Sequence, residues 1–382
     1  MKQIAPIWKP ELFEDDRDHR GTPRLQPLDE QERCAPAPAR AGGPSERRHP
    51  RKPPDRSRPR DTAGVWRTRE SVRQTGPTNP TSPTDLTHPP SVHARVASAR
   101  VRLRDAGLSL AEADLGARLL AEHLLGWDAA RYFTSGGEPE RDGFARSYDA
   151  LVSRRAAREP LAYIIGRQEF WDLPFEMSPA VLIPRPETEL IVEAALDMLR
   201  ERHGRPDAPG QGAGLRIADA CTGCGCVAIA LARELPHAQI VGTDISDAAL
   251  GVARRNAARH GVDRRVTFVR TDVLAGLSGP FDAIVANPPY VRSGDRPGLQ
   301  PEVREHEPGV ALFGGADGVD IVARLVAQAW ARLRADAPLI FEFGFGQDMA
   351  VEQLISEAPG LTMIGLRRDL QGIARTAIAK RL

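Results

Sequence analysis

The residues whose types and spacing most clearly suggest chemistry form the segment Asn287-Pro288-Pro289-Tyr290. A residue before proline is kept out of the helical region, and each proline fixes its own φ, so the segment predicts a stiff loop. Such a loop holds the Asn287 side chain and the Pro288 carbonyl in fixed positions. Their two oxygens can accept the two N–H bonds of a planar NH₂ group.

The chemistry that suits these acceptors is methyl transfer to nitrogen. An NH₂ group held in this way is oriented towards a methyl sulfonium, and the acceptors stabilise the positive charge that develops on it. The ring of Tyr290 can pack against a flat substrate and lie near the cationic centre. The alternative is that 287–290 is only a rigid turn. Its place directly after an apolar strand, about 40 residues beyond a strand-end acid, favours the chemical interpretation.

A second segment, 219–226, predicts a nucleotide-binding loop. Its small residues and glycines allow a tight turn and a close approach to a ligand, with a helix N-terminus behind it. Nineteen residues past Gly225, the next strand ends in Asp244, whose carboxylate can accept both ribose hydroxyls of a nucleoside. Asp272, at the end of the strand after that, is placed to meet the adenine edge.

The loop taken by itself leaves two alternatives open. Gly223-x-Gly225-x-x-Ala228 matches the dinucleotide-binding fingerprint, so a nicotinamide dehydrogenase is a rival, although it gives 287–290 no task. Cys221, Cys224 and Cys226 could be thiolate metal ligands. A structural zinc site needs a second pair of ligands, which the sequence lacks, so we expect no metal and interpret the cysteines as small packing residues.

The elements that must position these loops alternate between strand and helix from Leu215 onward. Apolar runs such as LRIADA, QIVGTD, VTFVRTD, FDAIVA and PLIFEFG predict strands, with amphipathic helices between several of them. This alternation predicts an α/β fold with a doubly wound parallel sheet, closed by an antiparallel pair over LTMIGLRRD and IARTAIAKR. Ligands of such sheets bind at the carboxyl ends of the strands.

Residues 91–160 predict a small helical domain. Apolar residues recur at helical spacing, including a stripe formed by Leu115, Leu119, Leu120, Leu124 and Leu125. Residues 161–190 predict a linking hairpin, because apolar and aromatic residues alternate there, at Tyr163, Ile165, Phe170, Trp171 and Phe175. A domain over 191–382 then carries the sheet.

Residues 1–90 differ in composition from the rest of the chain. They hold 16 of the 33 prolines and lack apolar periodicity, which predicts a disordered Pro/Arg-rich extension. It could be an extension without function, a consequence of a start codon placed too far upstream, or a basic arm that touches RNA or an acidic partner. The arginine run over 47–60 is the only support for such an arm.

Charge and hydropathy exclude several classes of protein. A formal net charge of +1 does not suggest a protein built to coat nucleic acid. No apolar run approaches the roughly 18 residues of a membrane span, so no membrane association is expected. The first residues lack the apolar core of a secretory signal, and their acidic cluster argues against a transit peptide. We therefore expect a soluble, cytoplasmic protein.

Over residues 91–382 the chain resembles the PrmC/HemK family, the release-factor glutamine methyltransferases. The most specific part is GRQEFWDLPFEMSPAVLIPRPETE at 166–189, which looks like the family's G-x-x-E-F…LIPRP-[DE]-TE signature. VREHEPGVALFGGADGVDI at 303–321 and IFEFGFGQ at 340–347 are also similar. The extension over 1–90 has no counterpart in the resemblance.

The resemblance implies a helical N-terminal domain, a hairpin and a seven-stranded methyltransferase sheet. It also implies an enzyme of translation termination that uses S-adenosyl-L-methionine to methylate the side-chain amide nitrogen of the glutamine in the Gly-Gly-Gln loop of peptide chain release factors. The implied substrate-binding motif is Asn287, Pro288, Pro289 and Tyr290, with Asn287, Pro288 and Tyr290 catalytic. The implied donor-binding residues are Cys221, Thr222, Gly223, Cys224, Gly225, Asp244, Asp272, Val273 and Asn287.

Some positions stay open at this level. Arg185, Glu187 and Glu189 could contact the donor site or brace the hairpin by ion pairs. Cys226 stands where small or polar residues are common in the family, and Val273 stands where an aromatic can occur, so the donor contacts around them are less defined.

The nearest rival function is a nucleic-acid amino methyltransferase, because adenine and cytosine also present a planar NH₂. Such enzymes usually carry a basic recognition module, whereas only about 90 residues follow Tyr290 and the predicted sheet uses them. We therefore expect release factors as partners and no stable nucleic-acid partner. A non-catalytic adaptor that binds release factor or ribosome is a second rival, which the intact donor loop and Asn287 disfavour.

Overall fold

The structure, a computed structural model, describes residues 89–204 and 214–382. The predicted disordered extension, 1–90, lies outside the described residues apart from Pro89 and Pro90. In the described chain a group of helices is followed by a two-stranded hairpin and then by a seven-stranded sheet flanked by helices. The predicted fold class is confirmed, and the boundaries drawn between the domains remain predictions.

The N-terminal helices begin and end at residues with clear capping chemistry. Ser109 and Glu112 form a reciprocal capping box at the start of the second helix, and Gly126 ends it in the left-handed conformation with φ 65°. The bounds of these helices are α1 Val92–Asp105, α2 Leu110–Leu125, α3 Ala129–Ser135 and α4 Phe144–Ala156.

The leucine stripe predicted on α2 accounts for part of its buried face, since Leu120 is in the helical core and Leu124 and Leu125 pack against it. Of the five leucines, Leu120 alone is fully buried. The helix also turns small residues to the core, including Ala113, Gly116 and Ala117. A Cβ at Gly116 would lie 3.8 Å from Leu103 of α1, an ordinary van der Waals distance, so α2 faces α1 at this residue. The buried face of α2 therefore includes small residues beside the leucines.

The linking segment contains a helix that the sequence pattern did not indicate. Leu161–Ile165 forms α5, so Tyr163 and Ile165 are helical and the alternation that was expected to begin there is wrong. Gly166, at φ 77°, ends this helix. The hairpin follows as β1 Arg167–Phe170 and β2 Leu173–Glu176. Its two turn residues, Trp171 and Asp172, have φ of 52° and 54°.

After α6 (Glu189–His203), strands and helices alternate through the rest of the described chain. The strands are β3 Arg216–Ala220, β4 Gln239–Asp244, β5 Val266–Arg270, β6 Ala283–Ala286, β7 Pro338–Glu342, β8 Leu361–Arg368 and β9 Ala374–Arg381. The helices are α7 Cys226–Glu234, α8 Asp247–Arg259, α9 Pro301–His306, α10 Gly309–Leu312, α11 Asp320–Ala329 and α12 Asp348–Glu357. Short 3-10 turns cover Pro186–Thr188 and Ser293–Gly298.

The sheet order is β5-β4-β3-β6-β7-β9-β8. β9 is antiparallel to both of its neighbours, which confirms the predicted closing pair, and the other pairings are parallel. The order reverses between β3 and β6, and this switch point opens a crevice at the carboxyl ends of those strands. Every residue of β6 and β7 is buried, as expected for central strands covered on both faces.

Helix α12 and the short helices α9 and α10 were not anticipated from the sequence pattern. α9 and α10 have six and four residues, which is too short for a periodic signal. In the described ranges, no helix is both long and apolar enough to cross a membrane.

Candidate active site

The two chemistry-bearing loops begin side by side at the switch point of the sheet. Ala220 and Ala286, the last residues of β3 and β6, are partners in the parallel ladder. Cys221 and Asn287 therefore leave neighbouring strands at the same level. The sheet brings the predicted donor loop and 287–290 to one crevice.

The donor loop owes its shape to left-handed backbone conformations. Cys221, Gly223 and Gly225 have φ of 58°, 54° and 83°. Thr222 N donates to Thr243 O at 2.8 Å, and Gly225 N donates to Thr222 O at 2.8 Å, so the turn is tied to β4 and closed on itself. A Cβ on Gly223 would meet nothing within 4 Å, so the loop faces open space there.

A buried carboxylate supports the loop from below. Asp219 is 1% exposed, and its Oδ2 accepts from Thr222 Oγ1 at 2.6 Å and from Ala228 N at 3.1 Å. Burial raises the pKa of Asp219 to about 7, against the lowering effect of these two hydrogen bonds. Asp219 joins the loop to the first turn of α7 and so fixes the turn between them.

Asp244 stands at the end of β4, as predicted, and is half-buried. Its Oδ2 accepts from Gly223 N at 3.0 Å and its Oδ1 accepts from Ser246 N at 2.9 Å. Burial raises the pKa of this carboxyl, and the backbone donors oppose the rise. A carboxylate has about four acceptor positions, so that of Asp244 can accept from a ribose hydroxyl in addition to its backbone donors.

Asp272 and Val273 lie next to Asp244 at the edge of the crevice. Thr271 N donates to Asp244 O at 3.0 Å, which brings the end of β5 to the same level. The Asp272 carboxylate pairs with Arg324 of α11 and is about half exposed. Val273 is buried with φ 55°, and its carbonyl accepts from Thr243 Oγ1 at 2.5 Å. Both residues therefore follow β5 beside Asp244, and their contact with adenine remains a prediction.

The three loop cysteines are free thiols, two of them buried. Burial raises the pKa of Cys221 well above its ordinary value, and the nearby carboxylates of Asp244 and Asp219 add to the rise. The pKa of Cys226 is also raised well above its ordinary value, by a hydrogen bond with Cys224 and by burial. Throughout 89–204 and 214–382, no group of three or more His, Cys, Asp or Glu side chains could hold a metal ion.

The segment 287–290 is held by hydrogen bonds at both of its ends. Asn287 is half-buried and its Nδ2 donates to Thr188 Oγ1 at 3.0 Å. Tyr290 donates its hydroxyl to Glu342 Oε1 at 2.7 Å, and its carbonyl accepts from Gln347 Nε2 at 2.9 Å. The bond to Thr188 leaves the Asn287 carbonyl oxygen free to accept.

Close packing also fixes the position of Tyr290. A Cβ on Gly318 would lie 2.3 Å from the carbonyl oxygen of Tyr290, so a side chain there would displace the loop. Gly318 has φ 76°, which also favours glycine. Burial raises the pKa of Tyr290 well above its ordinary value, and the nearby charge of Glu342 adds to this, so the phenol remains a donor.

Arg185 and Glu189, in the segment 166–189, both have partners within the chain. Arg185 Nη2 pairs with Glu307 Oε1 at 2.5 Å, and Glu307 Oε2 also accepts from Ile183 N at 3.3 Å. Glu189 Oε1 accepts from the backbone of Trp171 at the hairpin turn, at 2.9 Å. Arg185 therefore forms an ion pair and Glu189 holds the hairpin turn by a backbone hydrogen bond, while the choice between bracing and donor contact stays open. Glu187 is half-buried and lies close enough to Glu342 for its charge to raise the pKa of that carboxyl.

Three positioning residues at the site were given no role from the sequence. Thr188 and Glu342 bind each other and the ends of 287–290, and both are 1% exposed. Asn256 of α8 is fully buried and donates to Cys224 O at 3.0 Å, while its Oδ1 accepts from Glu176 N at 2.7 Å. Two of them carried a signal in the sequence: Asn256 is a polar residue on the apolar face of a helix, and Glu342 is one at the end of an apolar strand.

The residues fit a nucleoside-type methyl donor. The space above Gly223 is open, and the loop beneath it is already held by Asp219 and Asp244. Asp244 can bind a ribose, and the acidic character of the crevice suits a cation. Asn287 begins on the neighbouring strand, within the same crevice.

Comparison with known proteins gives concordant similarities. A family model described as the PrmC N-terminal domain matches residues 96–166, and one described as the methyltransferase small domain matches residues 208–299. The first covers the helices before the hairpin, and the second covers the donor loop and 287–290.

Curated relatives extend the similarity over most of the chain. The chain is 42% identical over 281 residues to a release factor glutamine methyltransferase of Bradyrhizobium diazoefficiens, covering 74% of this chain and 92% of that protein. It is 39% identical over 280 residues to the protein of that name from Rhodospirillum rubrum, covering 73% and 82%. The corresponding values for Deinococcus radiodurans are 42% over 245 residues, covering 64% and 82%.

Proposed function

The chain belongs to the release factor glutamine methyltransferase family, and from this we propose that it transfers a methyl group from S-adenosyl-L-methionine to the side-chain amide nitrogen of a glutamine in peptide chain release factors. The glutamine proposed is that of the Gly-Gly-Gln motif. The observation that supports this most directly is the pairing of Ala220 with Ala286, which starts the donor loop and Asn287 side by side.

Donor binding is assigned to the loop and the two strand ends beside it. S-adenosyl-L-methionine, when bound, supplies a methyl group on a positively charged sulfur that leaves as a neutral thioether. In the proposal, residues 221–225 hold the donor along their open side and Asp244 accepts the ribose hydroxyls. Asp272 and Val273 border the adenine.

Asn287 and Pro288 act on the substrate amide. The Asn287 Oδ1 and the Pro288 carbonyl accept its two N–H bonds, which turn the nitrogen towards the methyl carbon. A bond forms between nitrogen and carbon, the carbon–sulfur electron pair stays on sulfur, and the nitrogen gives up one proton to solvent. The two acceptors stabilise the positive charge that develops on the nitrogen.

Tyr290 and Pro289 shape the place for the flat amide. The two prolines are buried, and the Tyr290 ring is fixed by hydrogen bonds from its hydroxyl and to its carbonyl. A rigid wall limits the amide to one plane, which is the geometry that displacement needs.

The proposal is tested by incubating the purified chain with labelled S-adenosyl-L-methionine and four acceptors. These are a release factor, the same factor with its Gly-Gly-Gln glutamine changed to alanine, RNA and DNA. Label on the unaltered factor alone is expected. Equal label on both factors, or label on nucleic acid only, would overturn the proposal and in the second case favour the amino methyltransferase of nucleic acids.

A further inference from the structure

A buried glutamate lies behind the segment 287–290 and has no part in the chemistry described above. Glu342 is the last residue of β7 and is 1% exposed. Its Oε2 accepts from Thr188 Oγ1 at 2.7 Å and its Oε1 accepts from Tyr290 OH at 2.7 Å. Within the described residues no ion pair includes Glu342, although a buried carboxylate is costly without one.

The hydrogen bonds that reach Glu342 run in one direction. An ionised carboxylate only accepts, and Thr188 has a single hydroxyl proton, which it donates to Glu342. Towards Asn287 the Thr188 oxygen can therefore only accept. The NH₂ end of the Asn287 carboxamide must face Thr188, at 3.0 Å, and the carbonyl end must face away from it.

We infer that Glu342 is a positioning residue, which acts through Thr188 to present the Asn287 carbonyl oxygen to the substrate amide and through the Tyr290 hydroxyl to hold the wall beside it. This inference rests on the proposed function, because it needs Asn287 to be the acceptor of a substrate N–H. It explains why a carboxylate is kept in a buried position that an apolar residue could otherwise fill.

Reversing the direction of the hydrogen bonds between Glu342, Thr188 and Asn287 would place a donor where the substrate needs an acceptor. In Glu342→Gln one acceptor is replaced by an NH₂ donor, so the side chain no longer holds both Thr188 and Tyr290 as donors. When the carbonyl oxygen of the glutamine accepts from Tyr290, its NH₂ donates to Thr188, whose proton is then free to point at Asn287. The Asn287 carboxamide would then rotate by about half a turn to accept this proton. Its NH₂ group would face the NH₂ group of the substrate, and two donors cannot form a hydrogen bond with each other. Loss of one such hydrogen bond corresponds to a decrease in kcat of roughly ten- to a hundred-fold.

Acid should have the same effect as the amide substitution. Burial raises the pKa of Glu342, and the charge of Glu187 adds to the rise, while the donors Thr188 and Tyr290 and the charge of Arg375 on β9 oppose it. Protonation gives the carboxyl a donor of its own. Turnover should therefore fall as the pH is lowered through a value above that of an ordinary glutamate.

The experiment compares Glu342→Gln, Thr188→Val, Thr188→Ser and the double variant Glu342→Gln/Thr188→Val. Glu352→Gln, an exposed glutamate on α12, serves as the matched control. Single-turnover rates with a release factor, KM for the factor, calorimetric Kd for the donor and the pH profile are measured for each.

The expected result is a loss of kcat of about ten-fold or more in Glu342→Gln and Thr188→Val, with the donor Kd unchanged. Thr188→Ser should recover turnover, the double variant should lose no more than the worse single one, and the acid limb should disappear in Glu342→Gln. If Glu342→Gln does not fold, the contrast between valine and serine at 188 decides.

Turnover equal to the unaltered enzyme in Thr188→Val, or additive losses in the double variant, would overturn the inference. Failure of the unaltered enzyme to methylate the factor would instead overturn the proposed function, so the two failures are distinguishable.

Discussion

The backbone N–H of Gly223 donates to Asp244 Oδ2 at 3.0 Å, so the carboxylate proposed for the ribose also holds the loop proposed for the rest of the donor. Gly223 lies on the first strand-to-helix turn, and Asp244 ends the adjacent strand β4. In the proposed function, donor recognition is thereby a property of the paired strands rather than of a single flexible loop.

Replacing Asp244 with alanine should therefore weaken donor binding more than the loss of a simple contact. The ribose hydroxyls lose their acceptor and the Gly223 turn loses its anchor, so we expect Kd to rise roughly ten- to a thousand-fold by calorimetry. Asp247→Ala is the control, since Asp247 is exposed and pairs only with exposed Arg270. Similar donor affinity in both variants would contradict the assignment.

Asn287→Ala should separate binding from turnover. Asn287 is also implied to border the donor, but its hydrogen bond goes to Thr188 and not to the donor loop, so we expect the donor Kd to change little compared with kcat. Loss of a hydrogen bond to developing charge should lower kcat roughly ten- to a hundred-fold. Gln353→Ala removes an exposed amide on α12 and should leave kcat unchanged. Normal single-turnover rates in Asn287→Ala would reduce the segment to a rigid turn.

Glu302→Gln should destabilise the fold by breaking a buried charge cluster. Glu302 of α9 accepts from Arg155 at 2.9 Å and from Arg158 at 2.7 Å, and both Glu302 and Arg155 are less than 10% exposed. Removing one charge leaves buried arginine uncompensated, at a cost of about 3–5 kcal/mol in the free energy of unfolding.

Urea unfolding measures that cost. Glu305→Gln is the control, because Glu305 is on the same helix but exposed. An equal effect of the two substitutions would mean that the cluster adds nothing beyond a surface pair.

Asp219 should make stability fall as the pH rises. Its pKa is raised by burial to about 7 from an ordinary value of 3.8, so between these values the folded chain binds a proton that the unfolded chain does not. The stability that this group contributes is fully present below about pH 4 and is lost as the pH approaches 7.

Asp219→Asn removes this dependence on pH. Between about pH 4 and pH 7 the free energy of unfolding of the variant should therefore rise relative to that of the unaltered chain. The gain should be on the order of a few kcal/mol. Urea unfolding at several pH values, with exposed Asp263→Asn as control, measures the difference. If the gain in free energy of unfolding of Asp219→Asn over the unaltered chain stays constant or shrinks as the pH rises, the pKa of Asp219 is not raised in the folded chain.

The local chemistry of the site could be anticipated from the sequence because it is local in the chain. Asn287 directly follows a buried strand, and Asp244 ends another. Because the carboxyl ends of parallel strands lie at the same edge of a sheet, both residues were expected at that edge. The roles assigned to them remain predictions. The doubly wound α/β fold class followed from the alternation of strands and helices, because that alternation fixes how parallel strands can be connected, whereas the seven-stranded methyltransferase sheet was implied by the family resemblance.

What could not be anticipated depends on contacts between distant segments. Thr188 and Glu342 are 154 residues apart, and Asn256 meets Glu176 across 80 residues. No local pattern encodes such pairs. Short helices such as α5 could not be predicted either, because five residues are too few to distinguish helical from alternating periodicity.

The most direct test of the central claim is tandem mass spectrometry of a release factor after reaction with the chain and S-adenosyl-L-methionine. The account predicts one methyl group on the side-chain nitrogen of the Gly-Gly-Gln glutamine, formed by the unaltered chain and strongly reduced with Asn287→Ala. A methyl group on any other residue of the factor, or an unmodified glutamine, would contradict it.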